Sequence, residues 1–144
     1  MTGPPPTNGT LPTPGHRRWK PLRCGLIELF KYDDQQFFFE DGHLLLRGDN
    51  GTGKSRVLAL SLPFILDGRT DPARVEPDQD RAKSVAWNLL MGEHPERTGY
   101  TWLEFGRLDE NKTAVYCTIG CGLRAIQGRA GVETWFFVTG QRVG

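Results

Sequence analysis

The chain has almost no net charge: over 144 residues, 18 Lys and Arg stand against 17 Asp and Glu, for a formal +1. That balance excludes a global electrostatic footprint for nucleic acid or for an acidic membrane surface, so any such contact has to be local. No apolar run reaches transmembrane length, and no membrane partner is expected. Cysteine is scarce. Cys24, Cys117 and Cys121 make an odd number with no apolar secretory segment ahead of them, which points to a reducing cytoplasm. Cys117 and Cys121 lie an even number of residues apart on an expected strand and share a face, but with no nearby His or third Cys they cannot complete a four-ligand zinc site. They read as small apolar packers. A hydrophobic content of 38% over this length suffices for one domain with a core, and two would be crowded.

What the chain does have is Gly48-Asp49-Asn50-Gly51-Thr52-Gly53-Lys54-Ser55, which fits the phosphate-binding pattern G-x-x-x-x-G-K-[ST] at every fixed position. Before it, His43 to Arg47 reads as a short buried strand; after it, Arg56 to Leu66 reads as an apolar helix. A triphosphate needs many donors, a positive field and no bulky side chain. Gly48, Gly51 and Gly53 allow positive φ and close backbone approach, and the anion would then sit at a helix N-terminus. Lys54 would reach the β and γ phosphates, and the Ser55 hydroxyl would take one position on a magnesium ion. The plain alternative, a glycine-rich turn capped by Ser55, needs neither the Lys nor the third glycine.

The remainder can be placed around that loop. Residues 1–18 form a Pro- and Gly-rich lead-in expected to be disordered, and the basic cluster His16-Arg17-Arg18-Trp19-Lys20 across its boundary reads as a solvated segment able to touch a phosphate backbone. Leu26 to Tyr32 predicts a first strand, Asp33 to Gln35 a turn, and Gln36 to Glu40 a second strand, with Asp41-Gly42 a hairpin turn into His43. His43 itself reads as a surface or capping residue. Pro63 should kink the end of the loop helix, and Gly68 should terminate it. Arg69 to Gln79 reads as an irregular excursion, in which Arg69 and Arg74, with Arg81 just beyond, are candidates to face a nucleotide. The spacing of Ala82, Val85, Ala86, Leu89 and Leu90 predicts a helix over 81–91, stopped by Gly92. Three strands, 100–108, 114–124 and 134–138, predict an antiparallel meander. Base specificity is not legible, although Phe30, Lys31 and Tyr32 are candidates to lie against a purine ring.

From about Trp19 onward these residues resemble the SMC-like ATPases of the ABC class. Phe39-Glu40-Asp41-Gly42, the leucine strand and the loop with its internal Asn50-Gly51 carry the likeness. More narrowly, Phe64-Ile65-Leu66-Asp67-Gly68, Arg74-Val75-Glu76-Pro77-Asp78, Trp87-Asn88-Leu89-Leu90-Met91-Gly92, Arg97-Thr98-Gly99-Tyr100-Thr101-Trp102 and Trp135-Phe136-Phe137-Val138 resemble the large condensin-like subunit of Wadjet anti-plasmid systems. The resemblance implies an α/β P-loop NTPase fold over 19–144: the N-terminal half of an ABC-type head, incomplete, with an antiparallel β subdomain at about 98–140. It implies ATP and Mg2+ as cofactors. It implies as partners a C-terminal half-head, a second head, and double-stranded DNA through the assembled complex. The family's carboxylate strand, signature loop and coiled coil have no counterpart here, and Gln141 is not assigned as its glutamine loop. The chain is therefore expected to be a truncated segment that binds ATP without hydrolysing it alone, since in-line hydrolysis needs a positioned water and a base. Two alternatives remain open: a non-catalytic adaptor that pairs with a separate C-terminal half-head, and a small self-sufficient P-loop kinase or GTPase, against which the aromatic meander and the missing substrate lid argue.

Overall fold

Residues 96–126 alternate large apolar or aromatic side chains with small or polar ones, the period-two pattern of a strand with two different faces. In the computed structural model, which describes residues 10–49, 51, 53–69, 71 and 84–144, that stretch is a long hairpin. Its strands, here β3 (Glu96–Leu108) and β4 (Ala114–Ile126), are joined by a turn in which the Asp109 carboxylate accepts from the amides of Asn111 and Thr113, both at 2.8 Å. Two further strands precede it, β1 (Lys20–Leu29) and β2 (Tyr32–Phe38), and β5 (Glu133–Thr139) follows. The order across the sheet is β2-β1-β3-β4-β5, and every neighbouring pair is antiparallel.

This corrects the expected α/β P-loop NTPase fold. The described residues form one five-stranded antiparallel sheet with three short helices, and no two strands run parallel. The physical reason lies at 43–47. Asp41 (φ 48°) and Gly42 (φ 83°) make the anticipated two-residue turn, closed by reciprocal Glu40 and His43 backbone bonds of 2.8 and 2.9 Å. Beyond that one bridge, however, residues 44–49 join no β-ladder among the described residues. Leu44 and Leu46 tuck against the core and Leu45 faces outward, so the segment has a strand's side-chain alternation but no ladder. β1, the strand it would join, is already bonded on both sides.

The helices are α1 (Lys54–Leu60), α2 (Leu62–Asp67) and α3 (Val85–Leu90). The expected single helix after the loop breaks at Ser61 (φ −112°, ψ −108°), two residues before Pro63, which has no N–H to continue the ladder. Gly68 (φ 62°) follows α2 in the left-handed region. Ser84 caps α3, its hydroxyl accepting from the Trp87 amide at 3.2 Å, and Met91 (φ 54°) with Gly92 (φ 72°) ends it. No helix among the described residues is long and apolar enough to cross a membrane.

One sheet face carries Cys24, Leu26, Phe37, Leu103, Cys121, Leu123 and Ala125, and the helices bury it with Val57, Leu60, Ile65, Val85 and Leu89. The opposite face is covered differently. The rings of Trp102, Phe137 and Trp135 lie over Gly25, Gly120 and Gly122, where a Cβ would come within 2.5, 2.2 and 2.1 Å of ring atoms. Beside Trp102, Glu104 is fully buried and takes both Arg23 (3.0 and 2.9 Å) and Arg142 (2.7 and 3.1 Å). Arg142 also donates to the Pro12 carbonyl at 2.7 Å, and Arg23 donates to the Val143 carbonyl and, at 3.0 Å, to Gln36. Of the lead-in expected to be disordered, 1–9 lie outside the described residues. Residues 10–18 run along this face, with Pro14 buried near Gly106.

Candidate phosphate loop and its aromatic wall

Asn50 and Thr52 lie outside the described residues; the rest of the loop curls around its own lysine. Lys54 Nζ donates to the Asp49 carbonyl at 2.7 Å and to the Gly48 carbonyl, so the ammonium sits at the loop mouth. Gly51 (φ 83°) and Gly53 (φ 89°) take the left-handed conformation that L side chains resist, which accounts for glycine at both positions. Gly53 is the N-cap of α1 and has no side chain to satisfy the first amides, leaving them to other acceptors. Ser55 is exposed in the first turn. A magnesium ion bound through a phosphate needs few protein ligands, so a single exposed hydroxyl beside Lys54 suits it.

Against the loop stands the tip of the β1–β2 hairpin. A Cβ on Gly53 would come within 2.8 Å of the Tyr32 hydroxyl and 3.9 Å of Phe30. Phe30 packs on Tyr32 (centroids 6.0 Å apart) and on Trp87 of α3 (6.4 Å), and the Arg56 guanidinium from α1 lies 5.0 Å over Phe30 and 5.9 Å over Trp87. Burial pushes the Tyr32 hydroxyl pKa up. Lys31 adds its ammonium 5.8 Å over Phe30. Of the three residues singled out for a purine contact, Phe30 and Tyr32 therefore stand beside the loop, whereas Lys31 meets Phe30 and lines a separate hollow with Asp33, Met91, Glu93, His94 and Arg97.

The tip is held in a conformation its residues would not choose. Glu28 (φ 49°) and Phe30 (φ 57°) are left-handed without being glycine. Tertiary bonds hold them there: the Phe30 amide donates to the Asn88 carbonyl at 2.8 Å, and Arg97, itself 8% exposed, donates to the Phe30 carbonyl at 2.8 Å and to Glu28 at 3.1 Å. Neither Arg97, though it opens one of the resembling motifs, nor Arg56 had a role legible in the sequence, because both roles depend on α3 lying against the hairpin. The single local signal was Gly99, where a Cβ would sit 2.6 Å from the Glu28 carbonyl.

Arg69 does not join the site. It lies beyond α2, where its amide donates to the Asp67 carboxylate at 3.1 Å and its guanidinium pairs with Asp71 at 3.1 Å. Arg74 and Arg81 lie outside the described residues. Cys24 and Cys121 are buried thiols with pKa values pushed up by desolvation to about 12 and about 11, and Cys117 is half-buried. Among the described residues no three His, Cys, Asp or Glu side chains converge as a metal site. The Asp41 carboxylate is held below its usual range by hydrogen bonds from Lys20 (2.6 Å) and His16 (2.9 Å), an exposed cluster at the far end of β1. Comparison with protein-family models, with curated proteins and with solved structures finds no match to this chain.

Proposed function

We propose that the chain binds Mg-ATP at Gly48–Ser55, as the nucleotide-binding N-terminal segment of an SMC-like, DNA-translocating ATPase, and does not hydrolyse it alone. The observation that carries this is the placement of Lys54: its ammonium lies between the loop carbonyls of Gly48 and Asp49, in a loop where Gly51 has open space at its missing Cβ. The reading stands on that chemistry and on the resemblance of the motif residues, not on sheet architecture. The phosphates would lie on the amides from Gly51 into α1, with Lys54 on the terminal pair and Ser55 on the magnesium ion. In this reading a base would lie beside Phe30 and Tyr32, which stand next to Gly53. A phosphate cradle of this kind stabilises substrate and transition state alike, so turnover awaits groups that act on the attacking water. Those groups, a carboxylate strand and a signature loop, would come from a C-terminal half-head and a second head. Calorimetric titration with Mg-ATP tests the reading: Lys54→Ala should weaken binding by more than tenfold, about 2 to 4 kcal/mol, whereas equal affinities would remove the site from this loop.

A second reading, a non-catalytic adaptor for a separate C-terminal half-head, is favoured by β5. That edge strand leaves Phe136 at 56% and Val138 at 74% exposure, with no charge from Thr134 to Thr139. Phosphate release separates the two: the adaptor stays silent when a half-head polypeptide is added, and the ATPase segment gains turnover.

A further inference from the structure

Two stretches far apart in the sequence meet at the hairpin tip and enclose a hollow of about 310 Å³. That lies at the lower end of the roughly 300–1,000 Å³ of small-molecule sites. One wall is the turn at Phe30, Lys31 and Asp33. The other is the chain leaving α3 at Met91, Glu93 and His94, where the Glu93 and His94 amides both donate to the Leu90 carbonyl at 3.0 Å. Arg97 joins them, with its side chain 8% exposed. Its Nε and Nη1 are committed to Glu28 (3.1 Å) and to the Phe30 and Leu89 carbonyls (2.8 and 3.3 Å). Nη2 makes no hydrogen bond among the described residues and faces the Asp33 carboxylate across 3.9 Å. Lys31 and Glu93 are exposed, and neither side chain forms a hydrogen bond or ion pair among the described residues. Two cations and two carboxylates therefore border one hollow with none of them hydrogen-bonded to another.

We infer that this hollow binds a free α-amino acid with an apolar side chain, its carboxylate on Arg97 Nη2 and Lys31 and its ammonium on Asp33 and Glu93. Lining charges of both signs, equal in number, complement a zwitterion; a lone anion would meet the two carboxylates, and a lone cation the guanidinium and the ammonium. A largely buried guanidinium with one nitrogen still open is a strong donor to a carboxylate, since bonds between charged partners are short and burial limits their screening. An α-amino acid carries both charges on one carbon, so a hollow of this size can hold them together. Phe30 and Met91 leave apolar surface for its side chain. Phe30 is shared with the aromatic wall, but no group of the phosphate loop lines the hollow, and the inference stands apart from the nucleotide reading.

The test is a titration of the isotope-labelled full chain with L-leucine, followed by two-dimensional amide NMR. Binding at about 1 mM or tighter is expected, with shifts concentrated at Phe30 to Asp33 and Met91 to Arg97. The analogue without the ammonium, 4-methylpentanoate, and the one without the carboxylate, 3-methylbutylamine, should each bind at least about tenfold more weakly. Arg97→Lys, which keeps the charge and loses the fork, should weaken L-leucine by roughly tenfold or more. Because Arg97 also holds the hairpin tip, Lys31→Ala and Glu93→Gln test the site through exposed side chains alone, and each should weaken binding by roughly two- to fivefold. Lys54→Ala should leave L-leucine binding unchanged while weakening Mg-ATP, so the two proposals fail separately. The inference is overturned by no amide shift with L-leucine, by equal binding of either analogue, by shifts that fall outside the hollow, or by undiminished binding in both Lys31→Ala and Glu93→Gln.

Discussion

The two faces of the sheet are built on opposite principles. Under the helices, Leu26, Leu103, Cys121 and Leu123 fill space with interchangeable apolar volume. On the other face, rings rest on glycines and a carboxylate is clamped by two guanidiniums, so each contact requires one particular residue. Apolar packing tolerates swaps that conserve volume, whereas removing one partner of a buried ion pair strands the other charge, and a Cβ under a packed ring has to displace it. The helix-covered face should therefore be forgiving and the glycine-and-charge face brittle, even though both belong to the same strands.

The largest effect should come from Glu104→Ala. It would leave Arg23, fully buried, without its counter-charge and release Arg142 from the same carboxylate, at a cost of about 3 to 5 kcal/mol in urea denaturation. The same group sets an acid dependence. Desolvation pushes the Glu104 carboxyl up from its ordinary 4.5, but hydrogen bonds from Arg142 and Arg23 outweigh it and leave the folded pKa lowered. Its stabilisation is then fully present above pH 4.5 and lost as pH falls through the lower folded value. Urea midpoints measured from pH 7 down to 3 should drop through that window in the wild type and lose part of this dependence in Glu104→Gln.

Glycine substitutions sharpen the contrast within the brittle face. Gly25→Ala drives a Cβ into Trp102, which is 1% exposed and has nowhere to go, and should cost about 1 to 3 kcal/mol. Gly122→Ala meets Trp135, which is 38% exposed on the edge strand and can lift away, so thermal melts should rank it milder. Leu123→Met, on the helix-covered face, should cost less than about 1.5 kcal/mol. If Leu123→Met proved as damaging as Gly25→Ala, the division between the faces would collapse.

Much of the local structure was written in the residues. Asp41-Gly42 marked a turn, Gly68 followed a helix, and the β-rich runs 100–108 and 114–124 marked two strands that the structure extends to Glu96–Leu108 and Ala114–Ile126. What could not be read locally was fixed by partners far along the chain. The β1–β2 turn falls at Phe30-Lys31 and not at Asp33–Gln35, because Asn88 and Arg97 hold a turn that contains no turn-forming residue. His43 to Arg47 has the composition of a buried strand, but a strand also needs a neighbour with unpaired edges, and composition does not show one. Arg23 and Glu104 drew no reading from the sequence, because only the pairing of β1 with β3 brings them together. The candidate site divides in the same way. Its phosphate loop is one contiguous motif; its aromatic wall, with Arg56 and Trp87, exists only after the hairpin tip, α1 and α3 come together.

Loop and wall meet at Gly53, whose φ of 89° shapes the loop and whose missing Cβ leaves room for the Tyr32 hydroxyl. The most direct measurement is therefore a calorimetric titration of Mg-ATP into wild type and Gly53→Ala, with circular dichroism melts of both proteins. A phosphate cradle built against that wall predicts measurable binding by the wild type and a loss of at least about tenfold in Gly53→Ala, or 1.4 kcal/mol, with the sheet still folded. Equal affinities in two folded proteins, or no binding by the wild type, would contradict it.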